Sequence, residues 1–206
     1  MCCFLALAGS SQNSLMKVSF YRGAFLREDH NMAQLIPYLK DTHTDRFTLE
    51  ALSHRIDANE LLLEYILRGP IENIRFPKVS LQEARRDELW KQTCFEAFLS
   101  ESLETSSPYR EINCSPNGDW NAYSFSSYRQ DMSRTNDTQV VLVHREISDN
   151  EALFRVQVQS EFLLSAKYLG ITAVIEFSDG SKSYFALKHT GSQADFHRQD
   201  SFVISL

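Results

Sequence analysis

Residues 138–160 read TQVVLVHREISDNEALFRVQVQS, and their pattern indicates the class of the fold. Apolar and polar side chains alternate through both halves of this stretch, and β-branched residues are frequent, which is typical of half-buried β-strands. Ser148, Asp149 and Asn150 separate the two halves, and short polar residues of this kind favour turns. The stretch therefore predicts two long strands, at residues 138–147 and 152–160, joined by a turn.

The same alternation recurs along the rest of the chain. It predicts further strands at residues 17–25, 48–56, 61–67, 93–99, 109–115, 119–126, 169–177, 183–188 and 202–206. Asn117-Gly118 and Asp179-Gly180 supply turn residues between neighbouring strands. Many strands without a long amphipathic helix are compatible with a sandwich or a barrel. We expect an all-β fold, an antiparallel β-sandwich of immunoglobulin-like or jelly-roll type with about ten strands and one or two short helical turns.

Several segments depart from simple alternation. Residues 61–67, LLLEYIL, are nearly all apolar, which favours a central strand covered on both faces. Residues 31–40 predict a short helix or a loop, and the polar residues 78–90 predict a helical turn within a long loop or the loop alone. Residues 161–167 predict one helical turn.

Composition limits the classes of function. With 206 residues, 43% of them hydrophobic, the chain can bury a single core without metal or disulfide support. A net charge of -6 disfavours phosphate backbones and anionic membranes, because the longest basic run is Arg85-Arg86. We expect residues 1–15 to be a disordered extension, with a secretory leader as the alternative, and residues 16–206 to form one cytoplasmic domain.

The most distinctive sequence lies in the middle of the chain. Residues 87–99 read DELWKQTCFEAFL, and residues 109–129 read YREINCSPNGDWNAYSFSSYR. These segments, with Asp195-Phe196-His197 near the end, resemble the DOMON-like superfamily, close to the family 9 carbohydrate-binding modules and to small stand-alone bacterial members. The resemblance implies a β-sandwich whose relatives bind sugars or haem, and it does not specify one ligand.

A sugar site needs flat apolar surfaces for the C–H faces of the ring and rigid polar groups for the hydroxyls. The first set of candidates consists of aromatic side chains: Trp90, Trp120 and Tyr123. The second set consists of polar side chains: Glu96, Glu111, Asn113 and Arg129. The alternative for each is structural, since a Trp in a sandwich often belongs to the core and a Glu beside an Arg often forms an ion pair.

The pairing of residues 93–99 with 109–115 tests whether these candidates share a face. With Glu104 at the hairpin centre, Cys94 falls opposite Cys114 on the apolar face, where the two are expected to be reduced, packed thiols rather than a disulfide. The same register points Glu96 and Glu111 to opposite sides of the sheet, unless a bulge intervenes. This is a difficulty for a single site.

Other functions find less support in the sequence. Asn117, Asp119 and Asn121 are spaced like the start of a calcium loop, but Ala122 stands where that loop needs Gly, so turn chemistry is favoured and calcium is the minor alternative. Haem rests on the resemblance alone, because no histidine lies in an attachment motif. No nucleophile elbow, phosphate loop or dinucleotide fingerprint is present, which disfavours an enzyme.

The sequence therefore favours a non-catalytic module for a carbohydrate that requires no cofactor. The alternatives are a haem or redox module, a protein-interaction domain and, less favoured, a glycosidase acting through Glu96 with Glu111 or Asp119. The oligomeric state does not follow from the sequence.

Overall fold

The computed structural model describes residues 32–79 and 82–206. Within them the chain forms twelve β-strands: β1 Ala33–Pro37, β2 Thr48–Asp57, β3 Glu60–Arg68, β4 Cys94–Ser100, β5 Tyr109–Cys114, β6 Trp120–Phe125, β7 Ser133–Arg134, β8 Thr138–Ile147, β9 Glu151–Ser160, β10 Tyr168–Glu176, β11 Lys182–Ala186 and β12 Ile204–Ser205. Short 3-10 turns lie at Thr44–Arg46, Ile71–Asn73, Leu89–Lys91, Glu161–Leu164 and Gln199–Ser201. The predicted all-β class is confirmed.

All strand pairs are antiparallel, and the strands form a curled sheet that folds over as a sandwich. The first layer runs in the order β1-β2-β3-β9-β8, and the second in the order β7-β6-β5-β4-β10-β11-β1. Strand β1 belongs to both layers, because Ala33 to Leu35 pair with β2 whereas Ile36 and Pro37 pair with β11. We call these the first and second layers below.

The main core fills the space between the two layers. Tyr65 and Phe154 of the first layer pack against Phe95 of the second, with ring centroids 4.6 Å and 4.7 Å from that of Phe95. The Tyr65 hydroxyl donates to the carbonyl of Glu96 at 2.9 Å, so a buried hydrogen bond also links the layers. Alternation along each strand places these residues inside, as the sequence predicts.

The outer face of the second layer carries another apolar cluster, which the chain's own C-terminal segment covers. Phe98 of β4 stacks on Phe202 at 5.6 Å, and Tyr109 of β5 stacks on Phe125 at 4.6 Å. Gly170 makes this close approach possible, because a Cβ there would lie 2.6 Å from Cδ1 of Phe202. Strands β4 and β10 are consequently buried on both faces.

The structure differs from the predicted local structure at residues 31–40 and at residues 61–67. Residues 31–40 contain strand β1 rather than a helix or a lone loop, because pairing with two partner strands outweighs a weak local pattern. Strand β3 is central, between β2 and β9, but only its inner face is fully covered, and Glu64 on the outer face binds Arg155. The strand predicted at residues 17–25 and the extension at 1–15 lie outside the described residues.

Elsewhere the predicted strands match the observed ones to within two residues. The 3-10 turns at Leu89–Lys91 and Glu161–Leu164 fall in segments where helical turns were expected. Among the described residues, none lies in a helix long and apolar enough to cross a membrane.

Candidate functional site

The register between β4 and β5 differs from the predicted one by a single residue. Glu96 lies opposite Asn113, and Phe98 lies opposite Glu111. The prediction that Glu96 and Glu111 point to opposite sides is therefore wrong, because a shift of one residue exchanges the faces of a strand. Glu96, Glu111 and Asn113 all occupy the outer face of the second layer.

A cavity of about 300 Å³ opens on this face. Its floor consists of side chains from the strands of the second layer, and its walls come from the loops and the C-terminal segment. The lining residues are Trp90, Glu96, Glu111, Phe125, Arg129, Met132, Val174, Tyr184, Ala194, Phe196 and His197. Four of the seven predicted site residues, Trp90, Glu96, Glu111 and Arg129, thus share one cavity.

Two carboxyl groups are buried in the cavity floor. Burial raises the pKa of Glu96 well above its ordinary value of 4.5, and the neighbouring Glu111 raises it further. Burial also raises the pKa of Glu111, to about 7, against the opposing effects of a hydrogen bond from Asn113 and the charge of Arg129. Asn113 Nδ2 donates to Glu111 Oε1 at 2.7 Å, so Asn113 holds the Glu111 carboxyl in position.

The C-terminal segment contributes a largely buried histidine, His197, to the wall of the cavity. The Tyr109 hydroxyl lies 2.7 Å from His197 Nδ1 and accepts the backbone N–H of Arg129 at 3.2 Å. We assign the hydroxyl proton to the bond with Nδ1, which leaves the imidazole proton on Nε2, 3.8 Å from Glu111 Oε2. Burial, and then the charge of Arg129, lowers the pKa of His197 to about 4, so this contact joins a neutral imidazole and a neutral carboxyl between about pH 4 and 7.

Arg129 is held at the mouth of the cavity by the C-terminal segment. Its Nη2 donates to Asp195 Oδ1 at 2.8 Å, and Tyr128 donates to the other oxygen of Asp195 at 2.5 Å. Arg129 adopts a left-handed backbone with φ of 55°, which the bond to the Tyr109 hydroxyl helps to hold. The guanidinium remains half exposed, with donors free to turn toward a ligand.

Trp90 and Tyr123 have different positions although their rings touch. The rings meet edge to face, with centroids 5.9 Å apart, and Trp90 lines the cavity. Tyr123 is only 3% exposed, and its hydroxyl donates to Asp87 Oδ1 at 2.8 Å. Tyr123 therefore supports Trp90 from below and offers no ring face of its own to a ligand.

Trp120 is not part of this site. It begins β6 with its side chain on the inner face, packed against the main core, two positions from Ala122 on the same face. The Arg85 guanidinium covers its ring at 4.8 Å from the centroid. The structural alternative weighed for this tryptophan holds, and the stacking role predicted for it does not fit its position.

The turn that suggested calcium uses its oxygens internally. Asn117 Oδ1 accepts the backbone N–H of Asp119 at 2.9 Å, and Asp119 Oδ2 binds Arg86 Nε at 2.8 Å. Asn121 points to the other face, where its side-chain amide donates to Asp87. Among residues 32–79 and 82–206 no group of three metal-ligating side chains is poised for an ion.

Cys94 and Cys114 are free, buried thiols, as expected. Their predicted arrangement is wrong, because Phe95 rather than Cys94 lies opposite Cys114. Cys94 consequently faces outward and Cys114 inward, which separates the two sulfur atoms across the sheet.

Sequence reasoning missed the residues that close the cavity. Phe125 and Val174 lie on the outer faces of β6 and β10, and Tyr184 lies on the adjacent β11. Phe196 and His197 were noticed only as part of a resemblance, although Asp195-Phe196-His197 is a compact group of ring and charged residues near the C-terminus. That group was the one available signal.

Comparison with known proteins gives one informative result. No model of a known protein family matches the sequence, and no curated protein matches it significantly. Among solved structures, the chain is similar to a crystal structure described as a "putative carbohydrate-binding protein" from Bacteroides uniformis ATCC 8492. The match has a TM-score of 0.52 and 12% sequence identity, and covers 82% of this chain and 84% of the other, so it shows a shared fold.

Proposed function

We propose that this chain is a non-catalytic module that binds a carbohydrate in the cavity on the outer face of the second layer. The observation that carries the proposal is that aromatic rings and hydrogen-bonding side chains line the same cavity: Trp90, Phe196 and Tyr184 beside the buried Glu96 and Glu111 and the half-exposed Arg129. Sugar rings present apolar C–H faces and polar edges at once, so they need both kinds of wall.

The size of the cavity limits the ligand. A volume of about 300 Å³ is at the lower end of small-molecule pockets, so it suits a single sugar ring or the end of a chain. The sandwich is shared with the crystal structure described as a "putative carbohydrate-binding protein", which supports a sugar as ligand. The motif resemblance to DOMON-like proteins and family 9 carbohydrate-binding modules supports the same assignment.

Each site residue has a distinct role in the proposal. Trp90 provides the stacking surface, and the half-exposed Arg129 guanidinium donates to hydroxyls at the mouth. Glu96 and Glu111 accept hydroxyl hydrogens at the floor, with Asn113 holding Glu111 in place. Trp120 and Tyr123 contribute only packing.

The placement of the two carboxyls favours binding over hydrolysis. Glycosidases place their two carboxyls on either side of the scissile bond. Here Glu96 and Glu111 come from adjacent strands, on diagonal positions of one sheet face, and both lie in the cavity floor. A bound sugar would have both carboxyls on one side.

The test is calorimetric titration of the purified chain with monosaccharides and short oligosaccharides, preceded by a thermal-shift screen. Trp90→Ala should weaken the affinity about five- to a hundredfold, because an aromatic side chain contributes ~1–3 kcal/mol per stacked ring. Trp120→Ala is the matched control and should retain the wild-type affinity once folding is verified. Equal losses in both variants, or no response to any sugar, would overturn the proposal.

A haem module is the second candidate, because Met132 and His197 line the same cavity and both are haem-ligand types. The donor types fit, but the volume does not, since the macrocycle is larger than a cavity of about 300 Å³. A hemin titration should give no Soret shift; a shift lost in both His197→Ala and Met132→Ala would favour haem over sugar.

A further inference from the structure

Glu96 presents a buried acceptor that no described residue satisfies. Its side chain is 3% exposed, and its Oε1 has no hydrogen-bond partner among the described residues. The register places Asn113 and Thr172 directly on either side of it. Oδ1 of Asn113 and Oγ1 of Thr172 are likewise buried without a partner in the described part of the chain.

Three unsatisfied oxygens in one cross-strand row are costly. A buried polar group without a partner is destabilising, and native proteins tolerate few of them without a functional reason. Glu96 is the member of the row that lines the cavity. A ligand group that donates a hydrogen bond at this point would satisfy the open acceptor of Glu96.

The charges around the cavity indicate the sign of that group. Glu96 and Glu111 lie in the floor, and the one guanidinium of the lining, Arg129, is already bound to Asp195 at 2.8 Å. His197 is neutral and turned toward Glu111. Burial keeps the carboxyl of Glu111 neutral below pH 7, and a cationic ligand group is the partner that would allow it to ionise, since the described lining residues hold no uncommitted cation.

The walls favour a cation for an independent reason. Trp90, Phe125, Tyr184 and Phe196 line the same cavity as the carboxyls. The face of an aromatic ring attracts a cation, and cages of aromatic side chains are a recurrent way to hold an ammonium group. Neutral hydroxyls would gain the hydrogen bonds but not this attraction.

We propose that the floor of the cavity binds the protonated amino group of an amino sugar, with Glu96 and Glu111 as its acceptors and the aromatic side chains around it. The inference rests on the proposed function, since it takes the ligand to be a sugar, and adds the class of sugar. The ammonium keeps its three hydrogens and donates them; a carboxyl that ionises to receive it releases its proton to the solvent.

The experiment compares three forms of the same sugar on the full chain by calorimetry at pH 6.5. Glucosamine, galactosamine and mannosamine are each titrated beside the parent hexose and its N-acetyl derivative. We expect at least one free amine to bind ten times more tightly than both neutral forms. Repeating the titration in buffers of different ionisation enthalpy should show proton release for the amine and none for the parent hexose.

Variants tie the selectivity to the carboxyls. Glu96→Gln should reduce the preference for the amine at least tenfold while keeping any affinity for the neutral sugar, and Glu111→Gln provides a second variant should the first not fold. Glu104→Gln, in the exposed loop between β4 and β5, is the control. A preference that survives both floor variants would overturn the inference.

The two proposals fail in different ways. Equal binding of amine and neutral sugars overturns the amino-group inference and leaves the carbohydrate module standing. Binding of no sugar in any form overturns the proposed function and the inference with it.

Discussion

The contact between Glu111 and His197 predicts an unusual dependence of stability on pH. In the folded protein the pKa of Glu111 rises from 4.5 to about 7, because the carboxyl is buried. Burial and Arg129 lower the pKa of His197 from 6.5 to about 4. Between pH 4.5 and 6.5 the folded pair therefore carries one proton, on the carboxyl, and the unfolded pair also carries one, on the imidazole.

The two effects on stability oppose each other in that window. The stability that Glu111 contributes is present below its unfolded pKa and is lost as pH rises toward about 7. The stability that His197 contributes is present above its unfolded pKa and is lost as pH falls toward about 4. Each pH unit corresponds to ~1.4 kcal/mol for one proton, so each effect amounts to about 3 kcal/mol over the window and the two cancel.

Single substitutions should reveal the two opposing dependences of stability on pH, which cancel in the wild type. Relative to wild type, Glu111→Gln should gain about 3 kcal/mol of unfolding free energy from pH 4.5 to 6.5, because only His197 then titrates. His197→Asn should lose about as much over the same range. The raised pKa of Glu96 also makes stability fall as pH rises; because Glu111 contributes to that pKa, the comparison of His197→Asn with wild type is the one in which the contribution of Glu96 cancels.

The assay is urea unfolding at pH 4.5, 5.5 and 6.5, followed by the fluorescence of Trp90 and Trp120. The slope of the unfolding free energy against urea concentration must be the same in all variants, because only then do the urea midpoints compare their stabilities. Glu104→Gln, on the exposed loop, should run parallel to wild type. If Glu111→Gln and His197→Asn also ran parallel to wild type, the two groups would not be buried in their neutral forms and the reasoning would fail.

Other predictions concern packing and the thiols. Gly170→Ala should destabilise the fold by ~1–3 kcal/mol in urea, because its Cβ would collide with the Phe202 ring, and Phe202→Leu should reduce that penalty. Tyr65→Phe should cost ~1 kcal/mol for the lost bond between the layers, and an unchanged urea midpoint would contradict it. Burial raises the pKa of Cys94 and Cys114, so peptide mapping after native iodoacetamide treatment should find both unmodified and both labelled after unfolding.

Strand periodicity predicted most of the fold, because alternation is imposed by one buried face. The pair 138–147 and 152–160 was recognised for this reason, and its observed strands are Thr138–Ile147 and Glu151–Ser160. Alternation says nothing about a second layer of cover. The segment containing Phe196 and Phe202 covers the outer face of β4 and β5, and no period-2 pattern in those strands predicts that cover.

About half of the residues predicted for the site from the sequence line the cavity, for a related reason. Trp90, Glu96, Glu111 and Arg129 were chosen by residue type, and their shared cavity depends on how β4 and β5 are paired. Residue type alone could not separate Trp90 from Trp120. Their difference is a matter of position: one lies in a 3-10 turn over the outer face, and the other begins a strand with its side chain inward.

Whether Glu96 and Glu111 share one face of the sheet depends on whether the loop between β4 and β5 has an odd or an even number of residues. With Glu104 as the centre, equal numbers of residues on each side would bring Cys94 opposite Cys114 and put Glu96 and Glu111 on different faces. The observed loop, residues 101–108, has no central residue, and the pairing moves by one position so that Phe95 meets Cys114. Hydrophobic burial favours this register on both faces, because Phe95, Ala97 and Leu99 then face the main core while Phe98 lies under the C-terminal cover. Packing thus places the two carboxyls side by side on one face of the second layer.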